Sequence, residues 1–403
     1  MRSALSPAFT SSKIRLMVPL MVEVGTQMVE TLKQKIKDSN DDFVDIEAKD
    51  LTTRYANDVI ASCAFGLKIN STIDNNNVFY KMGKEITNFS TMMMIKIFIY
   101  FLMPFVAKIL KIKFLNVKLT NFFKSIILDT MTEREKHNIF RPDMINLLME
   151  AKHGRLVYES SGHDIDAGYA TVEESLDKSK SLKTDWSDND LVAQAVLFLL
   201  AGFDTVSTVM SFALYELAIN PDVQEKLLEE IRENDRKNGG KFDYKSIQNM
   251  QYMDMFVSET LRLWPPAPAL DRMCCKDYNL GKQNNEATED YYVRKGEGVF
   301  IPVWAIHRNP KYFPGPDKFD PERFSEENKD KIKPFTYLPF GSGPRNCIGS
   351  RFALCEVKVM LYQFLQSFEL SPCEKTCIPP ELAKDTFAFK LKGGHWMRIK
   401  IRP

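Results

Sequence analysis

The sequence predicts a mainly α-helical protein with small β-sheets. Helical spacing dominates its apolar pattern. One segment, 191–217, is apolar nearly all round, as a buried core helix is. Glycine is scarce, with 18 in 403 residues, which disfavours glycine-rich β repeats and a glycine-heavy nucleotide fold. The length would allow two or three domains and gives ample room for a large core. Apolar residues make up 44% and charged residues 27%. That is ordinary globular composition, not disorder, collagen or a polytopic membrane protein. Lys and Arg number 54 against 53 Asp and Glu, so a basic protein built for nucleic acid is not supported.

The elements follow in order. Pro19 suits the first turn of a helix, where its missing N–H would be unpaired anyway; that helix runs to about Lys37. Others are expected near Ala48–Ala64, Val78–Ser90 and Val117–Asn138. Residues 154–186 turn polar and read as a flexible surface loop. Ser187 then offers an N-cap with Asp190 three residues on, and Trp186 and Leu191 stand where a hydrophobic staple would. The long helix that follows runs from Asp188 to about Ile219, closed by Asn220-Pro221. At 1.5 Å per residue it is roughly 48 Å long. Further helices are expected from Pro221, from Met253 to Leu263, and from Gly349 to Ser367. Short strands fit Ala269–Cys274 and Gly298–Pro302. Residues 309–345 read as loop with short helices, and Phe387–Ile401 as a strand pair around Gly393-Gly394.

Seven cysteines show neither zinc-ribbon spacing nor a regular disulfide ladder. The first 13 residues have no apolar signal-peptide core. The longest uncharged apolar run, 97–107, is well short of the ~20 residues that span a bilayer.

Chemistry concentrates in Phe340-Gly341-Ser342-Gly343-Pro344-Arg345-Asn346-Cys347-Ile348-Gly349. A Gly/Pro-rich loop delivers one thiol to a helix mouth, where N–H groups favour a thiolate. Gly341, Gly343 and Gly349 let the backbone pass close to something flat or bulky. Arg345 adds a fixed cation. Thiolate plus arginine suits an iron porphyrin, with sulfur on the metal and guanidinium on a carboxylate. A second string, Ala201-Gly202-Phe203-Asp204-Thr205, interrupts the long helix. A glycine there costs ~1 kcal/mol against alanine, and a Thr hydroxyl can bond the carbonyl four residues back and bend the helix. Third, Glu259 and Arg262 share a helix face at i, i+3. At a surface such a pair is worth ~0.5 kcal/mol, but the flanks Met255, Leu261, Leu263 and Trp264 argue for burial.

These strings resemble the cytochrome P450 family. Its haem loop, F-x-x-G-x-R-x-C-x-G, is matched at every fixed position, and its [AG]-G-x-[DE]-T-[TS] helix motif is matched except at Val206. The resemblance covers essentially the whole chain and implies the P450 fold as a single domain over 1–403. It implies haem b with Cys347 as axial thiolate. Arg345, Arg272 and Arg2 would meet haem propionates. Phe340 would lie against the proximal face, with Gly341, Gly349 and Ala201 beside the cofactor. Thr205 would steady the reacting oxygen and Asp204 would relay protons. Glu259, Arg262 and the Arg323 of Pro321-Glu322-Arg323-Phe324 would form a structural triad. Phe198, Ala201, Phe203, Ala267, Ala269, Leu270 and the tip near Phe387–Phe389 would line the substrate cavity. The Met92-Met93-Met94 cluster and the run to Phe105 would be a mobile roof, able to dip into a membrane surface with its flanking lysines.

The implied activity is monooxygenation of a hydrophobic small molecule, a xenobiotic or an endogenous lipophile. NADPH–cytochrome P450 reductase would supply electrons, with cytochrome b5 as a second donor, near Lys13, Arg15 and Arg345. The wording L-S-P-A-F-T resembles the microsomal detoxifying clan in its insect branch, on the cytoplasmic face of the endoplasmic reticulum membrane. Arg2 matches the arginine of the family's W-x-x-x-R helix, so the expectation is a chain lacking its membrane anchor, first strands and early helices. A haem-thiolate isomerase or dehydratase and an inactive truncated fragment are the alternatives.

Overall fold

The structure is a computed structural model that describes residues 2–87, 91–110, 112, 116–154, 156, 168–171, 186–239, 243–384 and 389–403. The chain opens with α1 (Arg2–Leu5), α2 (Ser11–Lys37), β1 (Phe43–Glu47) and α3 (Ala48–Phe65). Then come α4 (Val78–Ile86), α5 (Thr91–Leu102), α6 (Pro104–Ile109), α7 (Val117–His137) and α8 (Met144–Lys152). The centre holds α9 (Asp188–Ile219), α10 (Pro221–Asn238), α11 (Tyr244–Gln248) and α12 (Gln251–Leu263). Last are β2 (Leu270–Met273), β3 (Tyr278–Asn279), β4 (Tyr292–Val293), β5 (Gly298–Ile301), α13 (Val303–His307), α14 (Ser350–Ser367), β6 (Phe368–Ser371) and β7 (Trp396–Ile401).

Helix α9 is the axis. Ser187 Oγ accepts the Asp190 N–H and the Asp190 carboxylate accepts the Ser187 N–H, the expected reciprocal cap. Among the described residues α9 is also the one helix long and apolar enough to cross a bilayer, yet it is mostly buried inside the protein. α3 packs along it, with α2 and α14 beside them. Their apolar faces join one continuous buried cluster.

Helix α2 begins at Ser11, so Pro19 lies in its interior rather than its first turn. Proline there removes the N–H that would bond the Arg15 carbonyl. Both residues are exposed, so water can serve that carbonyl. On the other face Ile14, Met17, Met21, Met28 and Leu32 are buried and hold the helix despite the gap. α4 ends at Ile86, and 88–90 lie outside the described residues.

The predicted strands at 270 and 298 form and pair with each other, antiparallel. Among the described residues the C-terminal strand pair does not form. Gly393 and Gly394 take φ of 79° and 102°, and a single bridge joins Leu382 to Leu391. β7 instead lies between β1 and β6, antiparallel to both. It buries Met397 and Ile399, and Arg398 pairs with Asp45 at 2.9 Å. This sheet also caps α3: Glu47 accepts the Asp50 N–H at 2.6 Å and the His395 N–H at 2.7 Å, while the Ala48 N–H reaches the His395 carbonyl at 2.8 Å.

Most of the polar stretch 154–186 lies outside the described residues. Within it, 168–171 are docked rather than free: Ala170 is buried, the Tyr169 N–H donates to Asp254, and its ring stands edge-on to Phe324.

Candidate active site

A cavity of about 400 Å³ opens between the middle of α9 and the loop that precedes α14. Two local foldings build it. On α9, Thr205 Oγ1 donates to the Ala201 carbonyl at 2.5 Å, the back-bond expected from the sequence. Gly202 in the same turn lets α3 approach: a Cβ there would stand 3.1 Å from Ile60. Ala201, Gly202 and Thr205 form one wall. Opposite, Gly341 and Gly343 hold φ of 73° and 77°, a left-handed backbone open to glycine. The loop closes where the Cys347 N–H donates to the Phe340 carbonyl at 2.9 Å. Phe340, Arg345, Cys347 and Gly349 form that wall.

The structure therefore brings Cys347, Arg345, Phe340, Gly349, Ala201 and Thr205 together. Four other predicted residues stand behind the lining. Gly341 backs onto Leu270, which a Cβ would meet at 3.4 Å. Arg272 follows Leu270 two positions along β2, so it shares that lining residue's strand face, and donates to the Asp271 carbonyl at 2.7 Å. Arg2 reaches the loop through Asn346, bonding its Oδ1 at 2.6 Å. Asp204 turns toward α3 and pairs with Lys49 at 2.9 Å.

Phe198, Ala201, Ala267 and Leu270 line the cavity as expected. Phe203 and Ala269 do not. Phe203 is buried against α4, where a Cβ on Gly83 would come within 2.9 Å of its ring. A helix presents one face at a time, so successive residues cannot all face the cavity. Phe389 stacks on Trp304 at 4.7 Å, and Phe387 lies outside the described residues.

The triad forms as expected. Arg262 donates to both Glu259 oxygens, at 2.6 and 2.8 Å, and Arg323 reaches Glu259 Oε1 at 3.3 Å. Burial raises the Glu259 carboxyl, and Arg262 opposes it. Arg262 also donates to the carbonyls of His307 and Lys318, while Arg323 takes those of Pro314 and Gly315. Sequence reasoning missed His307. Its Nε2 accepts the Leu338 N–H at 2.8 Å and its Nδ1 faces the Arg262 carbonyl at 3.1 Å. Burial pushes its pKa down to about 4. It also missed Glu216, which accepts the Trp264 indole N–H at 2.7 Å and which burial raises to about 7. Lys49 was missed too, although a lysine in the first turn of a helix opposes the macrodipole and is a usable signal.

The donor set tests what the cavity can hold. The described residues contain no group of three or more His, Cys, Asp or Glu placed to hold a metal ion, so a metal on Cys347 must bring its other donors with it. A porphyrin does so, and its flat apolar plate suits walls of Ala, Gly, Val and Phe. The residues present fit haem.

The cytochrome P450 family profile matches residues 1–397. Cytochrome P450 9e2 of Blattella germanica is 47% identical over all of this chain and 74% of its own length. Cytochrome P450 9c1 of Drosophila melanogaster is 40% identical over all of the chain, and cytochrome P450 6k1 of Blattella germanica 39% identical over 95% of it. A match that runs through both cavity walls leaves one conclusion: the chain belongs to the cytochrome P450 family, the haem-thiolate monooxygenases, whose cofactor is haem b on a cysteine thiolate.

Proposed function

We propose that this chain inserts one oxygen atom of dioxygen into an apolar small molecule, with Cys347 as the axial ligand. The observation that supports it is the Cys347 thiol, one of two on the lining of an apolar cavity (the other is Cys63), carried on the loop wall beside Arg345 and across from Thr205. When bound, the haem supplies reductive activation of dioxygen, promoted by electron donation from the thiolate. The chain's residues supply the rest. Arg345 lies on the lining, with Arg2 and Arg272 on nearby elements, as cations for the propionates. Phe198, Ala267 and Leu270 exclude water and hold an apolar substrate. Thr205 keeps its hydroxyl proton on the Ala201 carbonyl and turns oxygen lone pairs to the cavity. Asp204, one residue earlier, is partly exposed and carries protons inward from solvent.

Electrons come from NADPH–cytochrome P450 reductase, with cytochrome b5 as second donor, on the cytoplasmic face of the endoplasmic reticulum membrane. Met92, Phe98, Phe105 and Ile109 are exposed apolar side chains of α5 and α6, suited to resting on that surface. The test is the haem-loaded chain with the reductase. The expected result is a thiolate-type reduced–CO Soret band and oxidation of an apolar probe that requires NADPH. Turnover without NADPH would favour an isomerase or dehydratase instead.

A further inference from the structure

Lys49 sits in the first turn of α3, where the helix dipole disfavours a cation. Its side chain is largely buried and runs to α9 rather than to water. The ammonium meets four oxygens of one α9 turn. Asp204 Oδ1 is at 2.9 Å and the Asp204 carbonyl at 3.2 Å. Ser207 Oγ is at 2.7 Å and Thr208 Oγ1 at 2.8 Å. Both hydroxyls give their own protons to backbone: Ser207 to the Phe203 carbonyl at 2.9 Å, Thr208 to the Asp204 carbonyl at 2.7 Å. The lysine therefore completes a closed network around the carbonyl of the residue just before Thr205. Burial pushes the ammonium below the ordinary lysine range, while Asp204 and then Glu47 oppose that; Lys390 adds to the lowering. His395 also faces this site and is held neutral.

We propose that Lys49 is a positioning residue for proton delivery: it fixes the Asp204–Thr208 turn of α9, and so sets where the Asp204 carboxylate and the Thr205 hydroxyl stand. This rests on the reading of Asp204 and Thr205 given above. An ammonium suits the task because it donates in three directions to four acceptors. Arginine could keep the charge and several donors, whereas methionine would keep only the apolar stem.

The experiment uses the full haem-loaded chain with reductase and ethoxycoumarin as apolar probe. Product formed per NADPH consumed is measured for wild type, Lys49→Met, Lys49→Arg, Asp204→Asn, Thr205→Ala and the Lys49→Met/Asp204→Asn double variant. The reduced–CO band confirms an intact haem site in each. Lys49→Met is expected to lose about tenfold in product per NADPH with KM unchanged. Lys49→Arg is expected to restore most of it, and the double variant to couple no worse than Asp204→Asn alone. Amide hydrogen exchange at 205–209 is expected to speed up about tenfold in Lys49→Met, a readout independent of turnover. If Lys49→Met does not accumulate folded, Lys49→Gln replaces it. Wild-type coupling in Lys49→Met, or unchanged exchange at 205–209, overturns the proposal while a poorly coupled Asp204→Asn leaves the Asp204 reading standing. Unchanged coupling in both Asp204→Asn and Thr205→Ala overturns that reading, and the role of Lys49 with it.

Discussion

Replacing Cys347 by Ser keeps the side-chain size and the backbone bond to Phe340 but removes the soft ligand. The expected outcome is a haem-loaded chain whose reduced–CO spectrum lacks the thiolate-type Soret band. Thr205→Ala leaves the cavity wall apolar and deletes the hydroxyl. Product per NADPH is expected to fall about tenfold while NADPH oxidation continues, measured by peroxide release. These two residues were legible because each sits in a short string whose oddity is local: a thiol among glycines, a glycine and hydroxyl inside a buried helix. Lys49 was not, because its partners lie 155 and more residues away. His307 was hidden in the same way, since its meaning comes from the Arg262 carbonyl 45 residues earlier.

Elements were legible where their ends carry chemistry. The limits of α9 follow from Ser187, Asp190 and Asn220-Pro221, and the structure keeps them. Pro19 misled because a proline rule for helix starts met a helix held by its buried side. The β1–β7–β6 sheet escaped because its central strand β7 pairs with β1 from the far end of the sequence, and pairing of that range leaves no local pattern. The triad ties elements together: Glu259 of α12 holds Arg262, receives Arg323, and accepts the Asp320 N–H at 2.9 Å. Glu259→Gln leaves a fully buried Arg262 without its counter-charge. A loss of roughly 3–5 kcal/mol is expected, read as a lower urea midpoint with the α12 region most affected in hydrogen exchange. At the α4–α9 contact, Gly83→Ala is expected to cost about 1–3 kcal/mol through crowding against Phe203, read as a lower Tm.

The whole molecule should also respond to pH through its buried histidines. His307 has a folded pKa of about 4 against an ordinary 6.5, and His395 about 3. Both fold neutral, so the unfolded chain binds more protons as pH falls below 6.5. Their contribution is full above 6.5 and is lost as pH drops toward 4. His307→Gln lacks that loss. Its deficit in urea midpoint relative to wild type should therefore shrink between pH 7 and pH 4.5. A deficit that stayed constant would mean that His307 titrates alike in the folded and the unfolded chain.

The strand at 396–401 has a temporal consequence. A ribosome makes β1 and Glu47 long before it makes the residue that Glu47 must hold, 348 positions later at His395. Domains commonly begin to fold during synthesis, but here the first turn of α3 and the middle of the main sheet wait for His395 and β7. A message cut short just before His395 would still encode every residue placed at the cavity, and would yield a chain whose α3 starts without the partner of Glu47 and Ala48.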